Sequence, residues 1–262
     1  MLIPIGDDDR RLSDPAFVTI GLVVVNLVAF FLWQGAGVNT VATYGWSVIP
    51  LEITRGVDLV APQEVSIQNQ SFQVPQAPGP APIYLTILTA MFMHGGYAHL
   101  FGNLLYLWIF GDNVEQRLGH LRFLGFYLLC GVVATLLQVW LTPDAVVPNL
   151  GASGAIAGVL GAYMVFFPRN KVHALFVYIV VSVPAILAIG LWIAFQFVNG
   201  YGSIVQTEQL GGIAYGAHIG GFIAGALLAA LVRVLKIGTP LAPENEQIQT
   251  EYWTISRSWT ER

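Results

Sequence analysis

Charge is what this sequence has least of. Asp, Glu, Lys and Arg together make up 10% of its 262 residues, where a soluble globular domain carries about 25%. Too few charges remain to cover a water-facing surface, which excludes an ordinary soluble domain. Cysteine is nearly absent as well. A single one, Cys130, excludes an internal disulfide framework and a CxxC metal site. It lies inside an apolar run and reads as a packing residue. A basic leader is also missing: the start, MLIPIGDDDRRLSDP, is acidic and polar, so no cleavable signal peptide is expected. No internal repeat is visible, which argues against a transporter built from duplicated halves. The formal net charge of −4 decides little, because charges on a membrane protein matter by location.

Apolar residues are abundant, at 55% of the chain, and the mean hydropathy is +0.66. A helix needs about 20 predominantly apolar residues to cross the hydrocarbon layer. Six runs approach or meet this: 16–33, 88–110, 122–141, 151–167, 172–198 and 214–235. Only helices and closed barrels satisfy their backbone in lipid. Runs this long and continuous predict helices, hence an all-α membrane protein with six transmembrane helices. HGGYAH interrupts the second run, so its regular helix is expected to begin near Gly96.

With six spans, ten of the eleven Lys and Arg residues fall on one side, and only Arg55 falls on the other. Basic residues collect on the cytoplasmic side, so both termini are expected there. The predicted organisation is a cytoplasmic N-terminal segment (1–15), a membrane domain (16–236) with a long outer loop over about 34–82, and a flexible cytoplasmic tail (237–262). The second half of the loop, APQEVSIQNQSFQVPQAPGPAP, is polar and Pro-rich and predicts irregular structure.

Polar residues inside a membrane usually have a partner or a task. Spans two, four and six all run from outside to inside. Span two carries His94, His99 and Asn103, span four Ser153, and span six His218. Each lies near the outer end of its span, so topology gathers them in one layer. His99 and Asn103 are four residues apart and share a helix face. Gly216/Gly220 and Gly221/Gly225 in span six, with the glycines around Ser153, permit close helix packing.

Ser153, in GASGAIAG, has two readings: a packing serine at a helix contact, or a nucleophile with neutral His218 as its base. His99 and Asn103 either hydrogen-bond across helices or, with the Ser153 backbone N–H at a helix start, donate to an oxyanion. His94 reads as an interfacial loop residue. A metal at His94, His99 and His218 is disfavoured: no Asp, Glu or Cys falls in that layer, and HxxxxH is not a same-face pair. His120 and His173 lie near the cytoplasmic ends. Glu115 and Arg117, in GDNVEQRLG, read as a structural ion-pair or capping cluster.

Four motifs in order, HGGYAHLFGN, NVEQRLG, GASG and AHIGGFIAG, resemble those of the rhomboid family of intramembrane serine proteases. The resemblance covers about 86–235. It implies the six-helix rhomboid fold, a dyad of Ser153 and His218 without an aspartate, and oxyanion stabilisation by His99 and Asn103. It further implies cleavage of membrane-anchored proteins in or near their transmembrane segments, with no cofactor and no metal. Expected partners are transmembrane protein substrates and the lipid bilayer, with no nucleic acid, and the expected location is a prokaryotic inner membrane.

Two positions depart from the pattern. An aromatic residue that some members carry four positions after the nucleophile is Ala157 here, so the His218 ring needs another support. A Trp-Arg doublet in the first loop is not evident before His94. Two other functions compete: a non-catalytic rhomboid-like binder of transmembrane helices, disfavoured by the intact Ser153/His218 pair, and a transporter or channel, disfavoured because the polar groups sit at the outer end only.

Overall fold

The computed structural model describes residues 2–8, 14–67, 70–205 and 214–239. Most of them are helical. The long helices are α1 (Phe17–Val28), extended by a π-turn at Ala29–Trp33, α5 (Tyr97–Leu118), α6 (His120–Leu141), α7 (Ser153–Phe166), α8 (Ala185–Val205) and α9 (Tyr215–Val234). Three short helices, α2 (Thr40–Gly45), α3 (Pro50–Arg55) and α4 (Thr86–Thr89), lie between α1 and α5. Of the long helices, α6 and α9 are each long and apolar enough to cross a membrane, while Phe17–Trp33, Ser153–Phe166 and Ala185–Val198 are shorter apolar segments. The second span begins where expected, at Tyr97 just after Gly96, but its helix α5 runs past 110 through the polar GDNVEQRL to Leu118.

α7 is the central helix, with residues 154–163 all buried. Lipid is as apolar as leucine, so helices in it are held by close van der Waals contact rather than by expulsion of water. The glycines allow that contact on two faces of α9. Gly221 and Gly225 lie against the carbonyls of Gly154 and Gly158 on α7, and a β-carbon at Gly225 would stand 2.6 Å from the Gly158 Cα. Gly216 and Gly220, on the other face, receive Leu141 and Leu137 of α6.

The N-terminus of α1 has no cap of its own. Its first N–H groups, Val18 and Thr19, donate instead to the carboxylate of Glu115 on α5 at 2.9 and 2.7 Å, and the Thr19 hydroxyl adds a bond of 2.7 Å. A carboxylate there satisfies orphan donors and complements the helix dipole. GDNVEQRLG is therefore a capping cluster, but not a Glu115–Arg117 ion pair. Arg117 turns to the carbonyls of Ile237 and Thr239 after α9, at 3.3 and 3.1 Å, and lies over the Phe166 ring.

The all-α expectation fails in two places. Residues 172–198 do not form one helix. Lys171–Phe176 (β4) and Ile179–Pro184 (β5) make an antiparallel hairpin, and only then does α8 begin. β-Branched residues crowd this stretch at Val172, Val177, Ile179, Val180, Val181 and Val183, and favour strands. An apolar run does not by itself separate the two conformations. Leu2–Gly6 (β1), inside the N-terminal segment 1–15, adds to β4 in the order β1-β4-β5. The Pro-rich half of the first loop is not wholly irregular either: Gln63–Ile67 (β2) pairs with Gln70–Val74 (β3). Residues 240–262 of the expected tail lie outside the described residues.

The first loop docks on the segment that leads into α7. Val48 and Asn149 exchange backbone bonds of 2.9 and 2.7 Å. Leu51 N–H donates to the Ala145 carbonyl, the Thr54 hydroxyl to Pro143 and the Gln76 amide to Val146. Glu52 of α3 is buried beneath this contact, 2% exposed, and accepts from Leu59 N–H at 2.7 Å. Burial pushes its carboxyl up to about 7, the Leu59 bond opposes this, and Asp58 adds to it. A folded-state value raised above the ordinary 4.5 means that ionisation disfavours the fold. The contribution of Glu52 to stability is expected to be fullest below about pH 4.5, to be lost as the pH rises to about 7, and to stay level above that, a change of about 1–2 kcal/mol. Denaturation of wild type beside Glu52→Gln from pH 5 to 8 checks this: the stability of wild type relative to the variant falls over that range, and a constant difference refutes it.

Candidate active site

Ser153 is the first residue of α7, where a backbone N–H has no partner within its helix. Just before it, Gly151 has a φ of +120° and its N–H donates to the Ala90 carbonyl at 2.8 Å. An L-residue rarely adopts that φ. A side chain there would also meet the His99 ring, since a β-carbon would stand 2.6 Å from His99 Nε2 and 3.5 Å from Asn103 Nδ2. Gly151 thus lets one turn of chain pass between the α5 pair and Ser153.

Across the α7–α9 contact, Ser153 Oγ lies 2.8 Å from His218 Nε2. Both helices meet here at glycine spacing, which brings a short serine side chain within reach of a ring on its neighbour. His218 is 8% exposed. Its other ring nitrogen, Nδ1, lies 2.8 Å from Oε1 of Gln196 on α8. Trp192, one turn earlier on α8, lies against the imidazole with ring centroids 5.8 Å apart and planes 35° apart, and Tyr215 approaches edge-on. These are the supports that replace the aromatic absent at Ala157, which is fully buried in the bundle. Gln196 was missed in the sequence, although a lone amide in LWIAFQFV was a visible signal.

His99 and Asn103 share one face of α5 and flank Gly151. His99 Nδ1 accepts from Gly95 N–H at 3.4 Å. Asn103 is buried, and its Nδ2 has no acceptor among the described residues. His94 sits in the loop before α5, as expected. It is fully buried, its peptide clamped by the Gln34 amide with bonds of 2.9 and 2.8 Å, and its ring lies edge-on to His99. His120 and His173 lie elsewhere, beside Glu115 and Ser182. A small cavity of about 30 Å³ reaches from Ser153 and Gly154 to Gln138 and Asn149, with room for water among polar partners.

A nucleophile-type hydroxyl bonded to an imidazole, a helix-start N–H beside it and a buried unpaired amide make a set of groups suited to acyl transfer. A family profile described as Rhomboid domain matches residues 83–234, more than half of the 262 residues. "Rhomboid protein 1, mitochondrial" of Saccharomyces cerevisiae is 35% identical over 147 residues, 55% of this chain and 40% of that protein. "Rhomboid protease GluP" of Bacillus subtilis is 35% identical over 152 residues, 58% of this chain and 27% of that one. "RHOMBOID-like protein 7" of Arabidopsis thaliana is 28% identical over 155 residues, 56% of this chain and 42% of that one. In each case the matched stretch spans under half of the relative's length. The profile match takes in α5 to α9, and with them Ser153, His218, His99 and Asn103: the chain belongs to the rhomboid family.

Proposed function

We propose that this chain is an intramembrane serine endopeptidase that cleaves membrane-anchored proteins in or near their transmembrane segments. One observation carries the reading: Ser153 Oγ and His218 Nε2, from different helices, are 2.8 Å apart. His218 Nε2 takes the hydroxyl proton as Oγ bonds to the scissile carbonyl carbon. The oxyanion then accepts from the Ser153 backbone N–H, the His99 ring and Asn103 Nδ2, whose lack of any other acceptor suits that role. Collapse breaks the C–N bond, and the amine leaves with the proton held on Nε2. Water repeats the sequence on the acyl-enzyme: it loses a proton to Nε2 as its oxygen bonds to the acyl carbon, and collapse breaks the C–Oγ bond, returning that proton to Ser153 Oγ and freeing the acid product. No step needs a cofactor.

Six spans with both termini cytoplasmic are part of this reading, with α1, α5, α6, α7, α8 and α9 as the spans. At about 1.5 Å per residue, the 14 residues of α7 reach only about 21 Å into a layer of about 30 Å. The irregular segment before Ser153 then lies within the outer part of the membrane, which is tolerable only where protein or water covers its backbone. The docked first loop supplies such a cover. The membrane assigned is a prokaryotic cell membrane, supported by the Bacillus subtilis relative.

Active-site labelling tests the reading. A fluorophosphonate is expected to modify the full-length wild-type protein at Ser153, identified by peptide mass, and not to modify His218→Ala. A folded wild type that does not react would make the chain an inert binder of transmembrane helices.

A further inference from the structure

We propose that Gln196 is a positioning residue that selects the proton tautomer of His218; the proposal rests on the peptidase reading for its catalytic consequence. The Gln196 side-chain oxygen is an acceptor only, and it lies 2.8 Å from His218 Nδ1. That contact is a hydrogen bond only if Nδ1 carries the proton. A neutral imidazole has one N–H, so Nε2 is then bare, and it is Nε2 that faces Ser153 Oγ at 2.8 Å. With Oε1 facing the ring, the opposite tautomer would set a lone pair on Nδ1 against it and point an N–H at the serine; only an amide turned over, with its NH2 toward Nδ1, would accommodate that tautomer. That tautomer would leave the hydroxyl with no base.

Location makes the contact significant. Gln196 is 6% exposed on a helix whose neighbouring residues are apolar. A buried amide without a partner costs about 1–3 kcal/mol, so its pairing with His218 has a clear energetic reason. Trp192 lies four residues earlier on the same helix face and packs on the same ring. One turn of α8 therefore supplies two controls: the indole restrains the plane of the imidazole, and the amide decides which nitrogen holds the proton. Ser153 and His218 belong to α7 and α9, so a third helix completes the arrangement.

Two variants of the full chain test this. Gln196→Leu removes the acceptor at similar volume in an apolar setting, and Gln196→Glu keeps one. Cleavage of a membrane-anchored reporter is expected to show kcat lowered about 10- to 100-fold by Gln196→Leu with KM nearly unchanged, and substantially restored in Gln196→Glu. A second readout does not depend on activity. Imidazole ¹⁵N spectra of histidine-labelled protein in detergent, with the His218 signals identified by their loss in His218→Ala, are expected to show a protonated Nδ1 and a bare Nε2 in wild type. In Gln196→Leu the population shifts toward protonated Nε2.

A wild-type spectrum with the proton on Nε2 overturns the proposal. So does a folded Gln196→Leu with wild-type kcat and the wild-type tautomer. If the wild type proves inactive while the spectra behave as expected, the peptidase reading fails and the tautomer assignment stands.

Discussion

Ser153→Ala is expected to lower cleavage of a membrane-anchored reporter by at least about 10⁴-fold, because loss of a serine nucleophile removes covalent catalysis and leaves only binding and oxyanion contacts. The fold should survive. Ser153 opens α7 without capping it through its side chain. Alanine is a good helix former, and the lost hydroxyl bond to His218 is worth about 1 kcal/mol. The decisive comparison is therefore cleavage against thermal unfolding in detergent. Lost cleavage with near wild-type unfolding assigns the nucleophile. A variant that still cleaves at the wild-type rate removes Ser153 from the chemistry, and the peptidase mechanism given above with it.

The second large effect is expected from Gly225→Val, far from the reacting atoms. The Gly225 backbone faces the backbone of Gly158, and even a β-carbon would approach the Gly158 Cα to 2.6 Å. The obstacle is main chain, so no side-chain rotation relieves it. α7 and α9 must separate, and packing in lipid has no hydrophobic force to compensate. Overpacking of this kind costs about 1–3 kcal/mol or more. Because the 2.8 Å Ser153–His218 contact spans the same helix pair, activity should fall together with unfolding temperature. Gly125→Ala is the matched control: a β-carbon at Gly125 meets nothing within 4 Å, so both readouts should stay near wild type. A Gly225→Val protein with normal stability would show that the two backbones do not need this approach.

Legibility in the sequence followed the physics of each signal. Ser153 and His218 were identifiable because an alternating topology placed their helices in the same direction and both residues near the same end. A contact between them was then a matter of depth, which sequence position reports well. α6 and α9 were equally visible, as long uninterrupted apolar runs between charged or polar ends. Residues 171–184 were not, because hydropathy measures what a segment avoids and not how its backbone pairs. Only the crowding of β-branched residues before Pro184 hinted at strands, and their partner, Leu2–Gly6, lies far away in the chain. His94 was legible only in part, for a related reason. It does sit in a loop, but its burial depends on Gln34, a residue 60 positions earlier. Gln196 was readable in principle as an isolated amide in an apolar helix, but its contact with His218 depends on how α8 leans on α9.

The pairing of β1 with β4 has a consequence for how the protein is made. Leu2 pairs with Phe176, so β1 leaves the ribosome well before the strand it pairs with. At about 5–20 residues per second that interval is roughly ten to thirty-five seconds. Throughout it, an unmatched strand precedes helices that are already entering the bilayer, and the sheet can be completed only after α7 has been translated. Closure of that sheet is thus a late step in the folding of the chain.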